Sequence, residues 1–257
     1  MNFNDDTNNV KNIKYQHRGV KEILNSLLNT PIGIHQIVVY PNIDVLRETY
    51  FHFIKRLLEG NNEMVIFLPY CESAESVQRI LSSFPTASNK NGNEKGNKQK
   101  NSSSIDIKRY THNGSLVIID SQKTFSNVEG ETTTTMNHQF DKCNNSNSNS
   151  NSNSNSNSNS ISHNDNENFS SLVRMALSHA KKLKKESITI LADYGYIYEK
   201  KGFESLAELE KSIPLYFDSV KIKQICLYHQ KDFFNGFTKQ QKKEILDLHS
   251  RSILMTD

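Results

Sequence analysis

The sequence predicts an α/β fold in three layers, a mostly parallel sheet flanked by helices. Short β-branched or apolar runs alternate with segments of helical periodicity, a pattern typical of parallel strands joined by helical crossovers. The 257 residues can also form one sizeable core after polar tracts are subtracted. The runs interpreted as strands are 37–40, 64–68, 116–119, 188–192 and 222–228, with 253–255 as an edge strand.

Apolar stripes and end signals indicate the helices between these runs. The helix after the first strand begins at Asp44, which can cap it, and ends at Gly60. A second helix begins near Ser73 and stops at Pro85, which cannot continue a helix. Further helices are predicted over residues 18–28, 169–185 and 204–213, and from a capping-box spacing at 238–241 onward.

Two polar tracts divide the chain. Residues 1–33 are predicted to form an N-terminal extension with one short helix, and residues 34–257 one α/β domain. Residues 86–104 and 127–166 interrupt this domain, and the second tract contains an Asn-Ser repeat of low complexity. Such residues bury too little apolar surface to offset the entropy lost on ordering, so both tracts are expected to be disordered loops.

Composition restricts the classes of partner. The 31 basic and 28 acidic residues nearly balance, so direct nucleic-acid binding is not expected. The sequence contains neither a leader-like apolar segment nor a run long enough to span a membrane, and no membrane partner is expected. Cys71, Cys143 and Cys226 form no CxxC pair, which favours reduced thiols over disulfides. We therefore expect a cytoplasmic protein.

Polar residues end several predicted strands, where ligands bind in open α/β sheets. Tyr40, Asp120, Asp193 and Tyr228 hold such positions and are candidates for one ligand crevice. An aspartate there can instead cap a turn or pair with a lysine such as Lys123, so a purely structural role stays open for both aspartates.

His35 opens the first strand, and Cys226 lies within a later one. Both are candidate ligand-binding residues, although a lone histidine is commonly structural and a buried cysteine packs like a small apolar group. The pair could share a metal if their strands adjoin, but two ligands fall short of the usual three or four. The sequence therefore predicts neither a metal nor a cofactor. It also lacks a Gly-x-Ser-x-Gly turn or an activated cysteine, so no enzymatic activity is expected.

Three features resemble the core of RecA/KaiC-like nucleotidases. At residues 60–63 a helix ends in Gly60 and a polar turn leads into the next strand. Residues 116–120 resemble a Walker B strand, and the first strand leads directly into a long helix. A phosphate loop at that point requires GxxxxGK followed by Ser or Thr, whose backbone N–H groups and lysine hold phosphate. Residues 41–44 read Pro-Asn-Ile-Asp instead, so the resemblance is to a fold without its phosphate loop.

Together with His35, the stretches 35–40, 114–120, 190–193 and 225–228 resemble the MEDS family, a sensory domain of methanogens and methylotrophs. The resemblance implies a bacterial or archaeal regulator that senses a small hydrocarbon derivative and signals through a partner protein. We expect a small, mostly apolar ligand at the strand ends. The alternatives are a RecA/KaiC-like nucleotide-binding protein and a protein-interaction scaffold.

Overall fold

The computed structural model describes residues 17–60, 62–83, 106–126, 165–217 and 221–255. The predicted loop at 86–104 lies outside these ranges, as does the loop at 127–166 except for its last two residues, which begin a helix. In chain order the elements are β1 (His17–Arg18), α1 (Val20–Leu28), β2 (His35–Tyr40), α2 (Ile43–Gly60), β3 (Glu63–Leu68), α3 (Ala74–Ser83), α4 (Ile107–His112), β4 (Leu116–Ile118), α5 (Ser121–Phe125), α6 (Asp165–Lys182), β5 (Ser187–Asp193), α7 (Gly195–Ser212), a 3-10 turn (Ile213–Tyr216), β6 (Ile222–His229), a π turn (Asp232–Gly236), α8 (Lys239–Asp247) and β7 (Arg251–Met255).

The strands form one sheet in the order β1-β7-β2-β6-β5-β3-β4. Every pairing is parallel, with Ile37 opposite Cys226 and Asp193 opposite Leu227. Parallel neighbours require long crossover connections, which the helices supply. The run 253–255, predicted as an edge strand, belongs to β7 and has β2 on one side and the two-residue β1 on the other.

Helices cover both faces of the sheet, which confirms the predicted three-layer α/β fold. Strands β2 and β5 are buried along their whole length because both faces are covered. Side chains alternate between two cores, so Ile37 and Val39 face one and Val38 and Tyr40 face the other. The core with Tyr40 packs against α1, α2 and α3 and is here named the α2 face; the other packs against α6, α7 and α8 and is named the α6 face.

Side chains near the helix ends cap the helices, and the structure corrects one of the caps predicted from sequence. The predicted capping box of α8 is confirmed by reciprocal bonds between Thr238 and Gln241. The cap of α2 is Asn42 and not Asp44, since Asn42 Oδ1 accepts the backbone N–H groups of Asp44 and Val45, both at 3.0 Å. Asn42 precedes the first helical residue, whereas Asp44 already lies in the first turn.

Helix α7 begins well before the predicted range 204–213. It starts at Gly195 and is interrupted at Gly202, whose φ of 86° and ψ of 177° are not helical. This conformation is essentially restricted to glycine. The helix therefore consists of two segments, one beside the carboxyl end of β5 and one crossing the α6 face.

Helices α2, α6 and α7 each have 18 residues. All three carry charged side chains along their length. Among the helices in the described part of the chain, none is sufficiently long and apolar to cross a bilayer.

Candidate functional site

Three polar side chains meet at the carboxyl edge of the sheet, on the α2 face. Tyr40 ends β2 and donates its hydroxyl proton to Asp193 Oδ2 at 2.9 Å, across the intervening strand β6. Cys71 Sγ lies 3.1 Å from the same hydroxyl oxygen. The other carboxyl oxygen of Asp193 accepts the Gly195 backbone N–H at 3.0 Å. Tyr40, Cys71 and Asp193 are named the edge group.

Burial controls protonation in the edge group. It raises the pKa of Asp193 to about 6, although hydrogen bonds from Gly195 and Tyr40 partly oppose the change. Burial and the nearby Asp193 raise the pKa of the Cys71 thiol to about 11. Asp193 thus changes charge just below neutral pH, whereas Cys71 keeps its proton there.

A cavity of about 520 Å³ opens beside the edge group, between the β3–α3 and β4–α5 loops. Cys71 belongs both to its wall and to the edge group, so a molecule in the cavity would contact the Tyr40–Asp193 pair through the thiol. The lining presents polar and apolar surface in nearly equal parts and consists of Pro69, Tyr70, Cys71, Glu72, Ser73, Asp120, Gln122, Lys123 and Ser126. We name this space the edge cavity.

Asp120 belongs to the lining of this cavity and has two structural partners. Its Oδ1 accepts the Ala74 backbone N–H at 2.6 Å, and its Oδ2 lies 3.2 Å from Lys123 Nζ. Strands β6, β5 and β3 separate its strand, β4, from β2. At about 4.8 Å for each strand spacing, Asp120 stands roughly 19 Å across the sheet from the loop after β2. A carboxylate at this distance cannot act on a nucleotide bound to that loop.

A second group of polar side chains is buried on the α6 face. His35 Nε2 lies 2.8 Å from Glu210 Oε2 and 3.1 Å from Cys226 Sγ. The Cys226 thiol donates to Glu210 Oε2 at 3.5 Å, and His249 Nε2 lies 3.4 Å from the same oxygen. One ligand atom from each of these four residues lies within 4.8 Å of the others. His35, Glu210, Cys226 and His249 are named the histidine cluster.

Both imidazole rings of the cluster are oriented by backbone carbonyls. His35 Nδ1 lies 3.2 Å from the Leu248 oxygen, and His249 Nδ1 lies 2.7 Å from the Ile245 oxygen. Because a carbonyl oxygen only accepts, each Nδ1 carries the hydrogen. In the neutral rings, each Nε2 therefore directs a lone pair into the cluster.

Burial determines the charges in this cluster. It lowers the pKa of His249 to about 4, a change that Glu210 partly opposes, so His249 is neutral at physiological pH. Burial also raises the pKa of the Cys226 thiol well above its usual value. The His35 ring, whose centroid is 4.0 Å from that of His249, further lowers the pKa of His249.

No protein-family model matches the chain, and the search of curated proteins finds no match either. Its function is therefore inferred from the chemistry of the edge group, the edge cavity and the histidine cluster.

The sheet separates the six candidate ligand-binding residues, including the four predicted to bound one crevice. Tyr40 and Asp193 meet on the α2 face. His35, Cys226 and Tyr228 lie on the α6 face, where the Tyr228 hydroxyl donates to Glu210. The sixth, Asp120, contributes only to the edge cavity. His35 and Tyr40 are five positions apart in β2, and odd spacing places two side chains on opposite faces of a strand.

Sequence reasoning missed Glu210, His249 and Cys71. Glu210 follows Phe203 and Leu206 on the buried stripe of α7 and is 0% exposed, so a carboxylate within an apolar stripe was the available signal. His249 lies four positions after the buried Ile245, a spacing that also places it on the inward side. For Cys71 the sequence offers only its position shortly after β3.

Proposed function

We propose that this chain is a non-catalytic regulatory domain that binds a small molecule in the edge cavity and signals through a partner protein. The observation that carries the proposal is the contact of Cys71 with both the cavity and the buried Tyr40–Asp193 pair. A ligand at this wall can shift the hydrogen bonds and charge of a group that joins β2 to β5. The motifs that resemble the MEDS family support the same function.

The amino terminus of α2 argues against the alternative, a nucleotide-binding protein. Helix N-termini bind phosphate through free backbone N–H groups. Here Asn42 already accepts two of those groups, and the side chain of Asp44 is 84% exposed beside them. A triphosphate would have to displace the cap and approach a carboxylate, which is unfavourable.

Thiol chemistry supports a non-catalytic role. The thiolate is the nucleophilic form of cysteine, and a pKa of about 11 keeps Cys71 protonated at neutral pH. Cys226 is 0% exposed, so a substrate has no access to it. Both thiols are free, which fits the proposed location in a reducing cytoplasm.

The residues that line the cavity indicate which class of small hydrocarbon-like molecule would bind best. Glu72 and Asp120 place two carboxylates on the walls, whereas Pro69 and the Tyr70 ring supply apolar surface. Among one- to four-carbon molecules, a primary amine matches this lining best, with its ammonium group toward the carboxylates and its short chain against Tyr70. Both carboxylates already have partners, Arg47 for Glu72 and Lys123 for Asp120, so the ammonium group would join existing ion pairs.

Tyr70 provides a path from the cavity to the molecular surface. Its hydroxyl donates to Glu199 in the first turns of α7. Its ring also packs closely on Gly195, where an added Cβ would lie 2.6 Å from Tyr70 Cδ1. Movement of Tyr70 on ligand binding would therefore shift the start of α7, whose exposed side a regulatory partner can contact.

A ligand-detected NMR screen against one- to four-carbon amines, alcohols and halides tests the proposal. We expect amines to bind saturably to the wild type and to bind more weakly to Glu72→Gln and Asp120→Asn. Asp247→Asn is the matched control, because this carboxylate is 65% exposed on α8 and lies outside the cavity lining. Binding that ignores both cavity substitutions would overturn the proposed site.

Calorimetry with MgATP separates the alternatives. We expect no saturable heat, because Asn42 already occupies two N–H donors of the α2 terminus and the Asp44 carboxylate lies beside them. Micromolar binding of MgATP would favour the nucleotide-binding alternative. If neither MgATP nor any small molecule binds, the protein-interaction scaffold becomes the better account.

A further inference from the structure

We propose that His35, Glu210, Cys226 and His249 bind one zinc ion. This site lies on the opposite face of the sheet from the edge cavity and does not depend on the proposed function. Zinc bonds of about 2.0–2.3 Å in tetrahedral geometry place ligand atoms roughly 3.3–3.8 Å apart. The ligand atoms here all lie within 4.8 Å of one another. Two separations among them, 3.4 and 3.5 Å, are already in the tetrahedral range, and the two that involve His35 Nε2, 2.8 and 3.1 Å, would lengthen slightly on metal binding.

The orientation of the donors indicates a cation. His249 Nε2 is buried, has no hydrogen-bond partner among the residues that the structure describes, and points toward Glu210 Oε2. A neutral imidazole with its hydrogen on Nδ1 cannot donate to that oxygen, so two lone pairs face each other across 3.4 Å. His35 Nε2 also lies close to this oxygen, at 2.8 Å, and 3.1 Å from Cys226 Sγ, so the ring nitrogens, the carboxylate and the thiol converge on one point. A metal ion converts these opposed lone pairs into bonds.

Charge balance also favours a divalent ion. Glu210 is a fully buried carboxylate, and a buried charge is costly unless compensated. On zinc binding, the Cys226 S–H bond breaks, the sulfur bonds to zinc, and the proton leaves to solvent. The resulting thiolate and the Glu210 carboxylate together neutralise the two positive charges. With two neutral histidines, the site then carries no net charge.

Side chains and carbonyls around the four ligands complete the environment expected of a metal site. Both histidines donate from Nδ1 to backbone carbonyls, the arrangement that fixes the metal-binding nitrogen in zinc proteins. Tyr228 donates to Glu210 Oε1 and leaves Oε2 for the ion. The Gln224 side-chain amide donates to Cys226 Sγ at 3.8 Å, which favours a thiolate.

The four ligands come from separate parts of the chain: β2, β6, α7 and the connection between α8 and β7. Four protein ligands fill a tetrahedral site and leave no position for water or substrate, which is characteristic of structural zinc. His35 and Cys226 are 2% and 0% exposed, in keeping with a closed site. Zinc at this position would link the connection between α8 and β7 to the neighbouring strands β2 and β6.

Native mass spectrometry and cobalt titration of the full chain test this proposal. We expect one zinc per purified chain. After zinc is removed with a chelator, added Co²⁺ should give the thiolate-to-cobalt charge-transfer absorption at one equivalent. Cys226→Ser should lose this absorption. Cys71→Ser is the matched control and should keep it, since Cys71 is remote from the cluster.

The proposal fails if neither the purified nor the metal-depleted chain binds zinc or cobalt in a one-to-one ratio. It also fails if Cys226→Ser retains the thiolate band. In either case the cluster is a hydrogen-bonded network of buried side chains.

Tyr228→Phe provides a test that does not remove a ligand and preserves the shape of the core. Loss of a group that orients a metal ligand typically weakens metal affinity about 10–100-fold. We expect a decrease of that size in zinc affinity, measured by competition with a chromogenic chelator, with an unchanged far-ultraviolet circular dichroism spectrum. An unchanged zinc affinity would contradict a role for Tyr228 in positioning Glu210.

Discussion

Replacing Asp193 with Asn is expected to stabilise the protein at neutral pH. The folded state raises the pKa of this carboxyl from its usual 3.8 to about 6, mainly by burial. At about 1.36 kcal/mol per pKa unit, this difference means that ionised Asp193 costs on the order of 3 kcal/mol above pH 6. Asparagine retains an oxygen for the Gly195 N–H and carries no charge, so it avoids this cost.

The sign of the pH dependence follows from proton binding. Between about pH 4 and pH 6 the folded protein holds the Asp193 proton, whereas the unfolded chain has released it. Asp193 therefore lowers stability progressively as pH rises through this window. Relative to the wild type, Asp193→Asn should gain about 2 kcal/mol between pH 4.5 and pH 7.5.

Urea unfolding measures this difference. The chain has no tryptophan, so circular dichroism is the suitable signal. Asp247→Asn serves as control because its exposed carboxylate should give no comparable pH-dependent gain. A free-energy difference between Asp193→Asn and wild type that is equal at both pH values would refute the reasoning.

Three further predictions concern the backbone, the central tract and the metal. Gly202→Ala should lower the free energy of unfolding by about 1–3 kcal/mol because its φ of 86° and ψ of 177° strain other residues. Gly60→Ala should change the free energy of unfolding by less than about 0.5 kcal/mol, since an added Cβ meets no described residue within 4 Å. If urea unfolding gives Gly60→Ala and Gly202→Ala equal effects, the argument from backbone strain is wrong. Replacing residues 127–164 with a short Gly-Ser linker should preserve the fold, as loop closure changes by only about 0.6 kcal/mol per doubling of length. A calorimetric Tm more than about 8 °C lower would show that this tract contributes to packing. Chelator should lower the Tm of the wild type but leave that of His249→Ala nearly unchanged, which scanning calorimetry can check against zinc readdition.

Much of the fold could be read from sequence because the signals are local. The buried strands β3 and β5 follow from runs of β-branched or apolar residues, and the start of α8 follows from the Thr238 capping box. Alternation along β2 also determines that His35 and Tyr40 face opposite sides. These features depend on residues within a few positions of one another. A position at the start or end of a strand, which five of the six candidate residues share, does not by itself indicate which face of the sheet a side chain occupies.

Only the tertiary structure decided which distant residues meet. Strand order brings Tyr40 to Asp193 and separates Asp120 from both, although all three end or follow strands. The histidine cluster joins His35 to Glu210, residues far apart in sequence, through the pairing of β2 with β6 and the packing of α7 over that pair. No local pattern encodes such a meeting, because side-chain burial depends on how whole elements pack and not on the sequence near each residue.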